Sequence, residues 1–191
     1  DLLMTDVSAA ARRISWNIDE LCYVIENAGL SGVWNFGRKV GDTITGKRRP
    51  VSSTWASDSE ITAEKVLRIA LRTAKNKERF SPELITRLRE AELAIPDPWT
   101  DEIRQLFIDL LLVGHDAIPV FETLDQLDLF VPFLPEWKPA RSRPQRNAYH
   151  RFTVDRHLLE TAAEASKLVD RVKRPDLLVV GALLHDIGKP Y

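Results

Sequence analysis

The chain has 191 residues, a formal net charge of -1 at pH 7, 44% apolar residues and 29% charged residues. That length accommodates one domain or two small ones and can bury a real core, and the composition is ordinary for a folded globular protein. The balanced charge removes any global pull toward nucleic acid or an anionic membrane, and no apolar run approaches the ~18 residues that a membrane span needs. The lone Cys22 rules out an internal disulfide and fits a reducing, cytoplasmic compartment.

The first residues, Asp1-Leu-Leu-Met-Thr-Asp6, have neither the basic nor the apolar region of a signal peptide. They stand already inside a helical pattern and without an initiator Met, so the chain is expected to be a piece of a longer protein. Leu3, Val7, Ala10, Ile14, Ile18, Leu21 and Ile25 recur at steps of three and four. This is one apolar stripe on a long helix, which Gly29 is placed to stop. Arg12, Arg13, Asp19, Glu20 and Glu26 fall off the stripe and are expected on a solvated face.

From Gly32 to Asp58 the glycines at 37, 41 and 46 and Pro50 interrupt any helix. Short strands at 33–36, 43–45 and 51–55 could pair there as a hairpin, with Lys47-Arg48-Arg49 as an exposed basic tip. Helices resume near Thr62 and again at Ser81-Pro82, where a capping hydroxyl precedes a proline in the first helical position. Pro96-Asp-Pro98 links to a helix capped by Thr100 and ended by Gly114. A further helix runs from Ala117 to Leu127, with Pro119 tolerated in its first turn. The proline-broken apolar segment 130–137 suits a turn packed between helices. The polar stretch 138–149, with Arg141, Arg143 and Arg146, reads as a solvated linker; a ladder of guanidinium groups orienting a phosphorylated ligand is the alternative. Thr153 is placed to cap the next helix, and Pro175 starts the last one.

That last element carries an unbroken apolar run, Leu177 to Leu184, which is expected to be buried and which delivers His185-Asp186 and then Gly188-Lys189. An imidazole and a carboxylate at the end of a buried element are costly to desolvate without a partner, and a divalent cation is one. His157 stands in the first turn of the preceding helix. Two helices joined by the short link 172–175 should lie antiparallel, so His157, His185 and Asp186 should meet at one end of the pair. Histidine nitrogen with carboxylate oxygen suits Mg, Mn, Zn or Fe. The chemistry would be hydrolysis, with a polarised phosphoryl oxygen and an activated water. His150 is read as supporting and His115 as a capping residue in a helix-helix turn, and Asp109, Asp116 and Asp125 show no paired spacing. Gly181 to Lys189 fails as a phosphate loop, since the glycine spacing is wrong and Pro190 stands where Ser or Thr is required.

His185-Asp186 with an upstream His resembles the HD superfamily of metal-dependent phosphohydrolases, which are all-helical. Asn147-Ala-Tyr-His-Arg-Phe-Thr-Val-Asp-Arg-His157, Arg174-Pro-Asp-Leu-Leu178 and Leu183-Leu-His-Asp-Ile-Gly-Lys189 resemble, more narrowly, the family of bifunctional uridylyltransferase/uridylyl-removing enzymes of the bacterial nitrogen-regulatory PII protein. Pro98-Trp99, Leu124-Asp125-Gln126 and Phe133-Leu-Pro-Glu-Trp137 resemble the helical segment joining that family's two catalytic domains, and residues 3–13 the helix after its nucleotidyltransferase domain. The resemblance implies an all-α chain: a helical linker domain over 1–137, a linker over 138–149 and the first part of an HD domain over 150–191. It implies His157, His185 and Asp186 as metal ligands, with His185 and Asp186 catalytic and Mg or Mn favoured over Zn or Fe. Lys189 falls near the phosphate, and Pro190 departs from the pattern. It places a nucleotidyltransferase domain before Asp1, and the last ligand Asp and glutamine-sensing ACT domains after Tyr191. The partners it implies are PII and those domains, with neither nucleic acid nor membrane, and the chain alone should be inactive. Another HD phosphohydrolase, or a helical protein-interaction module, are the rival readings.

Overall fold

A computed structural model describes residues 2–27, 49–50, 60–145 and 152–189. The candidate strands at 33–36, 43–45 and 51–55 lie outside the described residues, as do Gly29, Lys47-Arg48, Arg146 and His150. The fold is all-α, with seven α-helices among the described residues: α1 (Leu2–Asn27), α2 (Ala63–Lys75), α3 (Pro82–Arg89), α4 (Asp101–Leu112), α5 (Ile118–Gln126), α6 (Val154–Ser166) and α7 (Pro175–Leu184). One two-residue parallel ladder pairs β1 (Arg49–Pro50) with β2 (Glu78–Arg79). No described helix is long and apolar enough to cross a membrane.

The helix starts follow from local chemistry. Thr62, Ser81 and Thr100 sit in extended backbone and accept the amide hydrogens of Lys65, Leu84 and Ile103, which a first turn leaves without helical partners. Pro82 occupies the first turn of α3, and Pro119 that of α5. Between α4 and α5 lies a 3-10 turn, Gly114–Ala117. Gly114 has φ +77°, and a Cβ there would stand 2.6 Å from the Ser166 hydroxyl at the end of α6. Left-handed backbone and close approach both call for glycine at this position.

The core lies where α2, α4, α5, α6 and the Gly114–Ala117 turn converge. Its densest part is aromatic: Phe107 stacks on Phe130, and Phe121 and Trp137 meet Phe130 edge-on at 5.3 and 4.8 Å. The proline-broken segment does pack between helices, ending in a 3-10 helix, Pro135–Ala140, that buries Trp137 completely. The Trp137 indole donates to the Asp125 carboxylate at 3.0 Å. α6 and α7 pack against each other more extensively than any other pair, and α7 also rests on α4.

Two expectations are overturned. The apolar stripe of α1 does not face the core: Leu3 is 73% exposed and Leu21 59%, and Val7, Ile14 and Ile18 are exposed as well. Three of the residues read as a solvated face turn inward instead: Asp19 is only 4% exposed and Arg12 and Glu20 are half-buried, while Arg13 is exposed as expected. The physical reason is charge. Arg79 of β2 donates to Asp19 at 3.0 Å and to Glu20, and lies 4.1 Å over the Tyr23 ring. Arg12 reaches Glu122 and Asp125 of α5 and Asp155 of α6. On the same side of the helix Trp16 and Tyr23 are buried. The second correction concerns α7, whose apolar run is buried only at Val179 and Leu183; Leu177 is 59% exposed and Leu184 is exposed too.

The remaining differences are smaller. Arg141 does not lie in a solvated linker: it pairs with Asp125 at 3.0 Å and Asp128 at 2.6 Å. Thr153 holds the N-cap position of α6 but makes no side-chain cap bond. His115 pairs with Glu160 and Glu164 of α6 at 3.3 and 3.2 Å rather than capping a helix.

Candidate metal centre

The open end of the α6–α7 pair is built by two helices running in opposite directions. His157 lies one turn into α6, with its amide bonded to the Thr153 carbonyl at 2.8 Å. His185 is the C-cap of α7, and Asp186 follows it in the turn that continues to Lys189. The start of one helix thus meets the end of the other, as the short connection requires.

Among the described residues, His157, His185 and Asp186 form a group whose ligand atoms all lie within 4.8 Å of one another. The Nε2 atoms of the two imidazoles are 3.3 Å apart, and Asp186 Oδ2 lies 3.5 Å from His157 Nε2 and 3.2 Å from His185 Nε2. Donors bound to one cation at about 2.1 Å stand about 3.0 to 3.4 Å apart for right-angle to tetrahedral geometry, so these three atoms match a shared ion closely. The site is partly open to solvent, with His185 the most exposed of the three and Asp186 the least.

The surroundings prepare the donors. His185 Nδ1 lies 2.8 Å from the Ala182 carbonyl, and only a protonated Nδ1 makes a bond there, so the neutral ring presents a lone pair at Nε2. Burial would raise the Asp186 pKa, but the hydrogen bond and charge of Lys189, joined by the imidazoles of His185 and His157 whenever these are protonated, hold it below the usual carboxylate range. Asp186 is therefore ionised at neutral pH. Lys189 Nζ stands 2.5 Å from the same Oδ2 that faces the imidazoles, so the carboxylate already has one cationic partner. A deprotonated carboxylate and two imidazole nitrogens turned toward one point form a donor set that fits a divalent metal. Of the other candidates, His115 and Asp125 lie in separate ion-pair clusters.

The sequence reading missed a second cluster, behind this site. Asp155, two residues before His157, is fully buried; its Oδ2 accepts from Arg12 Nη1 at 2.5 Å and from the Ser142 amide at 2.7 Å. No periodicity joins residues this far apart in the chain. The usable signal was a carboxylate in the first turn of α6, where its neighbour Thr153 was the expected cap.

Residues 154–191, the α6–α7 pair and the turn after it, match the HD domain family model. The match begins on the first residue of α6 and takes in all three clustered side chains. The chain's curated homologues are bifunctional uridylyltransferase/uridylyl-removing enzymes. The one from Streptomyces coelicolor is 45% identical over 125 residues, and that from Mycobacterium tuberculosis 42% identical over 124; each alignment covers 65% of this chain and 15% of the relative. The enzyme of Corynebacterium glutamicum is 34% identical over 125 residues, 65% of this chain and 18% of its own length. The chain therefore spans less than a fifth of the relatives it matches. No solved structure gives a significant match.

Proposed function

We propose that the chain is the helical segment and the beginning of the HD hydrolase of an enzyme that adds a nucleotidyl group to the PII signalling protein and removes it again. The observation that carries this reading is the convergence of His157, His185 and Asp186 within a segment that matches the HD domain. The names of the relatives supply the reaction class, nucleotidyl transfer and its reversal.

In this reading His157 and His185 offer Nε2 and Asp186 offers a carboxylate oxygen to a divalent cation, Mg or Mn in preference to Zn or Fe. Held by these three side chains, a cation would supply polarisation of a phosphoryl oxygen and activation of a water near neutral pH. The Ala182 carbonyl keeps the His185 ring in the tautomer that can donate. Lys189 balances the Asp186 charge and stands close enough to meet a phosphate oxygen of the substrate. The net reaction is hydrolysis of a phosphodiester: the bond from phosphorus to the protein hydroxyl breaks, the water oxygen joins phosphorus, and the hydroxyl regains a proton. The family pattern adds a further ligand Asp beyond Tyr191, so the 191-residue chain is expected to be inactive by itself. The division at residues 138–149 is kept as a boundary between functional modules, although α6 and α7 share their core with the helices before them.

One observation favours a docking role for the first module. The outward apolar stripe of α1 is a face for protein contact, whether with other domains of the longer polypeptide or with PII.

The test uses the longer enzyme carrying His157→Ala, His185→Ala or Asp186→Ala. Each change should abolish removal of the nucleotide from modified PII and leave the transfer reaction measurable. Removal that survives the His185 and Asp186 changes would end the hydrolase assignment.

A further inference from the structure

The cluster behind the metal centre joins the first helix of the chain to the helix that carries His157. Arg12 forks between Glu122 of α5 and Asp155 of α6, and lies 3.0 Å from Asp125. Asp155 is fully buried and holds the start of α6 on three sides: Oδ2 takes the Arg12 guanidinium and the Ser142 amide, and Oδ1 takes the Arg156 amide at 2.9 Å. The Val154 amide adds a bond to the Arg143 carbonyl at 2.8 Å. Thr153, at the cap position, contributes no side-chain cap bond. The register and direction of the first turn of α6 are thus set by Asp155, and Asp155 is held by Arg12. His157 projects from the next turn position, and its Nε2 has to stay within about 3.5 Å of two other donors for a common ion to form.

We infer that Arg12 is a positioning residue for the metal centre, acting through Asp155 on the placement of His157, so that the docking of α1 controls cation affinity at the N-terminal end of α6. The inference rests on the metal reading above. It follows from the stiffness of the path. One guanidinium, one buried carboxylate and two residues of helix separate α1 from the ligand, and a displacement well below 1 Å at the first turn passes directly to the imidazole. Arg12 is suited to the task because its planar fork fixes two carboxylates in a set geometry, which a lysine cannot do.

The experiment measures Mn2+ binding to the 191-residue chain by titration calorimetry and by paramagnetic resonance of free Mn2+. The proteins are the unaltered chain, Arg12→Met, Arg12→Lys, His157→Ala, and Leu88→Ala as a core-destabilising control on α3. All are compared well below their melting transitions, with folding checked by circular dichroism. Arg12→Met should bind Mn2+ at least about tenfold more weakly, a loss of the size seen when a group supporting a ligand is removed. Arg12→Lys should recover part of it, and Leu88→Ala should bind as the unaltered chain does. A second readout needs no metal. The ring-nitrogen NMR signals of His157 and His185, which lie 3.3 Å apart, should shift in Arg12→Met and not in Leu88→Ala. Unchanged affinity and unchanged ring signals in Arg12→Met overturn the inference, and so does an equal effect from Leu88→Ala. If the unaltered chain and His157→Ala behave alike toward Mn2+, the three donors present do not hold the ion without the further Asp, and the ring signals alone decide the role of Arg12.

Discussion

Single side chains carry the electrostatic character of this molecule, and Asp125 is the clearest case. Burial pushes its pKa up; Arg12 and Arg141 act against that, while Asp155 and Glu122 add to it, and the net direction is upward. A carboxyl with a raised pKa in the folded state binds its proton more tightly there than in the unfolded chain. Its contribution to stability is therefore fully present below the unfolded pKa and is lost as pH rises through the folded one. Asp125→Asn keeps an oxygen for the Trp137 indole and abolishes that titration. In urea melts across the acid range, the advantage of the unaltered chain over Asp125→Asn should shrink as pH rises from the ordinary carboxylate range to neutrality. A gap that widens instead would show that the ion pairs with Arg12 and Arg141 dominate over burial. At the same scale the clustering of His157, His185 and Asp186 was legible in the sequence, because a short connection between two helices fixes which ends meet. The buried cluster of Arg12, Asp125 and Asp155 was not, because ion pairs between distant residues leave no periodic trace.

At the scale of elements, the caps separate what propensity decides from what packing decides. Thr100 and Thr62 bond the first-turn amides as their sequence context predicts, so Thr100→Ala should cost about 1 kcal/mol of unfolding free energy. Thr153 stands in the same sequence context but makes no such bond, and Thr153→Ala should stay within about 0.5 kcal/mol. The burden falls on Asp155. Asp155→Ala leaves the Ser142 amide without its acceptor and takes one carboxylate from Arg12. About 3 kcal/mol is expected, the low end for a broken buried ion pair, because Glu122 and Asp125 still hold the guanidinium. Denaturant unfolding of the three variants gives the order directly. A Thr153 change as costly as the Asp155 change would contradict the bonding described here. The helix starts at 62, 81, 100 and 153 could all be placed from sequence, since each is written in a few adjacent residues. Which group then holds the helix end depends on chain that arrives from elsewhere.

On the scale of the whole molecule, helix periodicity located α1 correctly and assigned its sides the wrong way round. The stripe from Leu3 to Leu21 is genuine, but the helix is fastened by its charged side, through Arg12 on one flank and Arg79 on the other. A period identifies the odd face of a helix; the rest of the fold determines which way that face turns. Substitutions report the orientation. Trp16→Ala should cost about 3–5 kcal/mol, as for a buried large aromatic, whereas Ile14→Lys should change stability by no more than about 0.5 kcal/mol. The opposite ranking would mean that α1 lies with its stripe inward. A helix anchored by ions and coated outside with leucine, valine and isoleucine is sticky on its free side. In concentrated solution the isolated chain should therefore take up hydrophobic dyes and cling to detergent through α1, and charging that stripe is the direct way to keep it well behaved.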